Sequence, residues 1–218
     1  MTAAAIFVKT PGLSPIKTRL AAELGSRKAE KFHLLSAHWT AHTLTEVSEE
    51  VPLTIYWAVA EAEGIEAQEW EHLPRVFQGK GGLGDRLATV YSSLLPKHQQ
   101  VLLLGADSPE LNPRVIVDAI KLLEDDEGGI DFVMGETPDG GFYLFGGKTP
   151  IDRSQWNAVP YSTDQTARKL RQSLAPLGKL NLVAPCHDID TMKDFLELNE
   201  RLKVADPKKY ASLNTLMR

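Results

Sequence analysis

The sequence predicts an α/β protein of three layers, with helices covering both faces of a mostly parallel sheet. Three observations carry that prediction. Val101-Leu102-Leu103-Leu104 is a short, unbroken apolar run, the pattern of a strand buried on both faces. Strand-like and helix-like segments alternate along the chain, which favours parallel strands joined by crossover helices. No internal repeat or low-complexity linker interrupts the 218 residues, so one domain over residues 1–218 is expected.

Composition narrows the class. Hydrophobic residues make up 43% and charged residues 24%, ordinary for a globule with a large core. A net charge of −5 argues against a nucleic-acid binder that works through phosphate contacts alone. The single cysteine, Cys186, rules out an internal disulfide and suits a reducing cytoplasm. The apolar stretch at residues 3–8 is too short for a signal-peptide core and has no basic flank. No segment approaches the roughly 20 apolar residues that span a bilayer. A cytoplasmic protein with no membrane span is expected, and apolar positions on its long helices leave a homodimer open.

Taken in order, residues 3–8 form the first strand, and Lys9-Thr10-Pro11-Gly12-Leu13-Ser14-Pro15 reads as a loop. Residues 16–24 open with a helical turn. Ser26 suits the N-cap of a helix over 26–47, with Phe32, Leu35, Trp39 and His42 at helical spacing. Leu53–Val59 is β-rich; residues 60–70 read as a short helix and 75–78 as a brief strand. The glycine-rich loop 79–84 precedes a helix over 85–95. After the strand 101–104, Pro109 forces a turn, which leaves Asp107 at the strand's carboxyl end. Ligands of open α/β sheets sit beyond such ends.

Asn112-Pro113 starts a further helix, with Pro near its first position. Strands at 130–134 and 142–145 flank Pro138-Asp139-Gly140-Gly141, a strong turn signal. Thr163 is a candidate cap for a helix reaching Leu174. Leu180–Val183 is the last short strand. Thr191-Met192-Lys193-Asp194 approximates a capping box and opens a helix to about 204. The stretch after Pro207 carries no clear signal.

Four groups of residues could carry chemistry. Lys9, Lys17 and Arg19 surround the first loop; cations at a strand's carboxyl end suit a polyphosphate, although lysines and arginines are usually just solvated. Gly79-Lys80-Gly81-Gly82-Leu83-Gly84 is a literal G-x-G-x-x-G. As a dinucleotide fingerprint it would imply NAD, but a complete strand–basic loop–helix unit precedes it, and a plain glycine turn explains the same residues. Asp188 and Asp190 follow the last strand. Either could stabilise a helix start, or join Asp107 in holding Mg²⁺ with phosphate oxygens. Asp139 with Gly140 and Gly141 is a hairpin turn by its dipeptide, or a place where an acceptor hydroxyl approaches a carboxylate. His33, His38 and His42 share a helix without the Glu of a zinc-helix motif, so packing is the better reading.

Together these motifs resemble a family. Phe7-Val8-Lys9-Thr10-Pro11 with Ile16-Lys17-Thr18-Arg19-Leu20-Ala21 resembles the opening of small bacterial glycosyltransferase-like proteins, the radical-SAM/selenodomain-associated transferases. Gln78-Gly79 with Leu83-Gly84-Asp85-Arg86-Leu87 is similar to their second block. Leu104-Gly105-Ala106-Asp107-Ser108-Pro109, Asp139-Gly140-Gly141-Phe142-Tyr143 and Asp188-Ile189-Asp190-Thr191 match later ones. The resemblance spans nearly the whole chain. It implies the nucleotide-diphospho-sugar transferase (GT-A) fold, a Rossmann-like sheet that binds a nucleotide and a divalent metal.

Carried over by residue, the resemblance places Lys9, Lys17 and Arg19 on phosphates, and Gln78 with Gly79, Gly81 and Gly84 near the base. Ala106 lies beside the nucleotide, and Asp107 and Asp190 hold Mg²⁺ or Mn²⁺; Asp139, with Gly140 and Gly141, is kept from the turn itself as the candidate acceptor side. Ser14 stands where the family has glycine, and Gly82 where it has aspartate. The expected reaction is metal-dependent transfer of a sugar from a nucleotide-diphospho-sugar, with Lys17 and Arg19 stabilising the departing diphosphate. The single Asp107 resembles equally the metal ligand of guanylyl- and cytidylyltransferases. Nucleotidyl transfer to a phosphorylated acceptor, with pyrophosphate released, is therefore the alternative reaction, and a non-catalytic nucleotide-binding module is the alternative outside enzymes.

Overall fold

A computed structural model describes residues 1–217. Its seven-stranded sheet consists of β1 (Thr2–Val8), β2 (Leu53–Val59), β3 (Arg75–Phe77), β4 (Gln100–Gly105), β5 (Phe132–Glu136), β6 (Phe142–Gly147) and β7 (Leu180–Val183). The strand order is β3-β2-β1-β4-β6-β5-β7. Pairing is parallel throughout except for β6, which runs antiparallel to both β4 and β5.

Helices cover both faces. They are α1 (Thr18–Leu24), α2 (Ser26–Glu50), α3 (Leu83–Leu94), α4 (Pro113–Glu124), α5 (Arg153–Asn157), α6 (Thr166–Leu174), α7 (Met192–Ala205) and α8 (Pro207–Met217). Successive residues of β1 point to opposite faces, and both faces are dry. Ala4, Ile6 and Val8 pack with Ala37, Leu44, Ile116 and Ile120 on the α2/α4 side. Ala3 and Ala5 pack with Val90, Tyr91 and Trp156 on the α3/α5 side. This two-faced burial is what the unbroken apolar run of β4 required. No helix among the described residues is long and apolar enough to cross a membrane.

Several local signals act as expected. Asn112 caps α4 by accepting from the Arg114 backbone N–H at 2.9 Å. Thr191 and Asp194 form a reciprocal capping box at α7. Pro138 to Gly141 link β5 to β6 as an antiparallel hairpin.

Four expectations need correction. Residues 60–70 do not form an α-helix: turns lead to one 3₁₀ turn at Gln68–Trp70. Gly64 lies so close to Thr10 that a Cβ there would meet its hydroxyl, and Glu61 Oε2 accepts from the Thr10 N–H at 2.9 Å. These tertiary contacts override good helix formers. Ser26 is the first residue of α2 and not its cap, which is Gly25 at φ 87°. Thr163 instead braces a turn before α6, accepting from Gln165 N–H, and the helix begins at Thr166. The stretch after Pro207 is α8, docked through Leu213 and by the Lys209 ammonium over the Trp39 ring. Asp206, which accepts from the Lys208 and Lys209 N–H groups ahead of Pro207, was the readable start signal.

Candidate functional site

Strand order decides where a ligand can bind. The chain moves from β1 outward to β2 and β3, then returns to place β4 on the other side of β1. The crevice at this switch point is the binding position of open α/β sheets. The loop after β1 and the Ala106–Asp107 turn after β4 flank it. Because β6 is reversed, the β5–β6 turn lies at the same edge, and the segment after β7 arrives there too. Ile189 N–H donates to the Asp107 carbonyl at 3.0 Å, fastening that segment beside β4.

The centre of the site is one ammonium among carboxylates. Lys17 Nζ lies 2.8 Å from Asp107 Oδ1 and 3.7 Å from Asp190 Oδ1, and donates to the Ile189 carbonyl. Its side chain is 3% exposed and sits over the Phe32 ring. Arg19 Nη2 meets Asp190 Oδ2 at 2.6 Å, with the guanidinium 67% exposed. His33 on α2 accepts the Lys9 N–H through Nε2 at 3.3 Å, which assigns the proton to Nδ1. That Nδ1 is 3.8 Å from Asp107 Oδ1, an electrostatic contact beyond hydrogen-bond range. Neighbouring Ser36 donates to the Ala106 carbonyl at 2.6 Å and holds the turn.

These charges set opposite proton affinities. Burial works against the Asp107 carboxylate, but Lys17 and then His33 outweigh it and hold the carboxyl well below its ordinary range. Asp188 is pushed up to about 7, first by burial and further by Asp107 and Asp190, against the hydrogen bond from Ser108. Burial likewise pushes the Cys186 thiol up to about 11, consistent with a structural cysteine.

The cleft has two lobes that meet at this acidic rim. The first, about 830 Å³, is lined by Lys9, Lys17, Arg19, Gln78, Gly81, Ala106, Asp107 and Asp190. The second, about 710 Å³, contains Asp139 and Gly141 and shares Arg19, Asp107 and Asp190 with the first. Three of the sequence-selected glycines are instead packing positions. Gly79 abuts Thr89, Gly84 approaches the Trp156 carbonyl, and Gly140 at φ 86° has no room for a Cβ against the Asp164 backbone. Gln78 is buried, and its amide donates to the Val8 and Ala58 carbonyls, tying β1 to β2. Asp139 accepts from the Thr137 hydroxyl and the Gly141 N–H, the bonding of an Asx turn. The 79–84 loop follows edge strand β3, whereas a dinucleotide fingerprint belongs after the first strand at the switch point.

His33, Arg86 and Ser162 also line the cleft. Nothing in the spacing of His33 distinguished it from a packing histidine. Arg86 lay in a recognisable block, but its reach to the cleft depends on α3. Among the described residues, Lys17 at φ 44° and Ser162 at φ 60° are the non-glycine residues with positive φ, and both line the cleft. Such backbone strain concentrates at functional sites.

Residues 41–163 match the family described as "Uncharacterized protein conserved in bacteria (DUF2064)". The chain belongs to this family. No curated protein matches the sequence. Among solved structures, this DUF2064 chain is similar to a protein from Desulfovibrio desulfuricans G20 described provisionally as a nucleotide-diphospho-sugar transferase. That pair has 20% identity over 98% of this chain and 94% of the other, with a TM-score of 0.82. It is also similar to a 4-diphosphocytidyl-2C-methyl-D-erythritol synthase from Anaerococcus prevotii, at 16% identity over 93% and 96% of the two chains and a TM-score of 0.61. A nucleotidyl transferase from Methanothermobacter thermautotroptrophicus aligns at 13% identity over 94% and 99%, also with a TM-score of 0.61. At these identities the likeness establishes a shared fold, that of nucleotide-diphospho-sugar transferases.

Proposed function

We propose that this protein is a transferase that binds a nucleotide-activated donor in the basic lobe and moves its sugar to an acceptor in the second lobe. The observation that carries the reading is the acidic rim between the lobes, where Lys17 bridges Asp107 and Asp190 and Arg19 extends from Asp190. Lys9 and Arg19 line the donor lobe and would meet diphosphate oxygens, with the exposed Arg19 able to grip two at once, while buried Lys17 holds the two carboxylates in place. The sequence resemblance to radical-SAM/selenodomain-associated transferases points the same way.

The chemistry of the carboxylate pair suits a hard divalent cation. Asp107 and Asp190 offer hard oxygens, and the Asp107 side chain, 41% exposed, opens to the cleft while Lys17 holds its Oδ1 at 2.8 Å. Among the described residues no three His, Cys, Asp or Glu side chains group into a self-sufficient metal site. Such a set fits Mg²⁺ or Mn²⁺ that takes its other oxygens from phosphate and water. Asp107 and Asp190 would hold the ion, which when bound neutralises diphosphate charge. In the transfer, an acceptor hydroxyl oxygen bonds to the anomeric carbon and the carbon–diphosphate oxygen bond breaks. The electron pair leaves with the nucleoside diphosphate, and the hydroxyl proton passes to solvent. Arg19 stabilises the leaving charge directly, and Lys17 does so only by holding the carboxylates beneath it.

Nucleotidyl transfer is the second reading, favoured by the fold likeness to the cytidyl and nucleotidyl transferases. Thermal-shift titration with nucleoside diphosphates, triphosphates and sugar nucleotides, with and without Mg²⁺ or Mn²⁺, tests the site. A stabilising shift that needs both nucleotide and cation, and that Asp107→Asn abolishes, is expected. Free nucleoside diphosphate from a sugar nucleotide supports sugar transfer, whereas pyrophosphate released from a triphosphate overturns it in favour of the second reading.

A further inference from the structure

The two lobes differ in charge once the residues they share are set aside. Both reach Arg19, Asp107, Asp188 and Asp190. Beyond those, the first lobe adds Lys9, Lys17 and Arg86 and no carboxylate. The second adds Asp139 and Asp164 and no cation. Its remaining polar lining is hydroxyl-bearing, and half-buried Phe142 and Tyr161 supply ring surface. The lobe is also held in shape: Ala167 N–H donates to the Gly140 carbonyl at 2.9 Å, clamping the β5–β6 turn against the start of α6, just after the loop that carries strained Ser162.

We infer that the second lobe selects an uncharged polyhydroxyl acceptor and rejects phosphorylated or carboxylate-bearing ones. A phosphate or carboxylate there would face Asp139 and Asp164, and the one cation lining this lobe, Arg19, is shared with the donor lobe, where the bound diphosphate engages it. Like charges brought within a few ångströms repel, and such juxtaposition suppresses the wrong partner. A neutral polyol meets no such barrier. Its hydroxyls can donate to Asp139 and Asp164, and its carbon–hydrogen faces can lie on the aromatic rings. This deepens the sugar-transfer reading and rests on it: a transferase that joins a nucleotide to a phosphorylated acceptor needs cations in this lobe.

The test uses full-length protein saturated with the nucleoside diphosphate and divalent cation that give the largest thermal shift, so that the basic lobe is filled. Glycerol, glucose and inositol are then titrated against glycerol 3-phosphate and glucose 6-phosphate, following the backbone amides of Gly141, Ser162 and Asp164 by NMR. The neutral compounds should perturb those amides, and the phosphorylated partners should bind at least about tenfold more weakly there. Asp164 is exposed and makes only backbone contacts with the hairpin, so Asp164→Lys should fold normally and narrow or reverse that preference. Tighter binding of the phosphorylated compounds to the native protein, or silence from every neutral one, overturns the inference. Failure of every nucleotide to shift the melting temperature is a separate result and removes the reading beneath it.

Discussion

Lys17 Nζ and Asp107 Oδ1 lie 2.8 Å apart, and they differ sharply in exposure: the lysine side chain is 3% exposed and the aspartate 41%. The ammonium is therefore held from below and the carboxylate presented to the cleft. A buried cation with two acidic partners acts as an internal counter-charge that keeps Asp107 ionised and in place.

This arrangement predicts coupled stabilities. Lys17→Met leaves Asp107 and Asp190 facing each other, and Asp107→Asn leaves Lys17 with fewer anions. Each should cost about 1–3 kcal/mol, less than a fully buried pair because Asp107 reaches solvent. In a denaturant double-mutant cycle the combined loss should be clearly smaller than the sum. Strict additivity would show that the pair is not coupled.

Arg19 should behave differently. Its guanidinium is largely exposed, and exposed ion pairs stabilise little. Arg19→Ala should change unfolding free energy by no more than about 0.5 kcal/mol. Pyrophosphate affinity, measured by calorimetry with Mg²⁺, should fall about tenfold through loss of a charge-assisted contact. Unchanged affinity would remove Arg19 from the diphosphate site.

The α7 capping box predicts a pH dependence. Burial raises the Asp194 pKa, but the hydrogen bonds from Thr191 and the Asp190 N–H outweigh it and leave the carboxyl below its ordinary value. The folded state thus binds this proton less readily than the unfolded chain. The contribution is fully present above the ordinary carboxylate range and is lost as pH falls through the lowered folded value. Asp194→Ala should cost about 1 kcal/mol at neutral pH. Melting curves of the two proteins should converge in acid, and a constant gap down to the lowest pH would contradict the assignment.

Gly140 tests the second lobe's frame. At φ 86°, with a Cβ position 2.1 Å from the Asp164 carbonyl oxygen, no side chain fits without moving the backbone. Gly140→Ala should destabilise by more than about 1 kcal/mol and shift the amides of 162–164. Gly82, whose Cβ would enter open space, is the milder comparison: as the N-cap of α3, where Ala is a poorer cap than Gly, its substitution by Ala should cost only a fraction of that.

Much of this was legible where signals are local. The apolar run of β4, the Asp-Gly turn of the β5–β6 hairpin and the Thr191–Asp194 box each express short-range rules, and each formed where expected. Residues 60–70 misled because Gly64 packs against Thr10, a contact between the loops that follow neighbouring strands β1 and β2 and invisible to helix propensity. His33 was passed over for a similar reason: its neighbours on α2 are core residues, and only the turn after β4 brings Asp107 to it.

The amino-acid order alone determined the alternation of strands and helices, the α/β class and the set of charged loops at strand ends, because periodicity, caps and turns act over a few residues. Tertiary structure decided that Lys17 is buried between two acids while Arg19 stays in solvent, that Gln78 ties strands together, and that the two lobes carry opposite charge. Those outcomes depend on strand order and on one reversed strand, which bring distant segments to a single edge. Electrostatic partners are chosen by distance in space, and no local pattern encodes that distance.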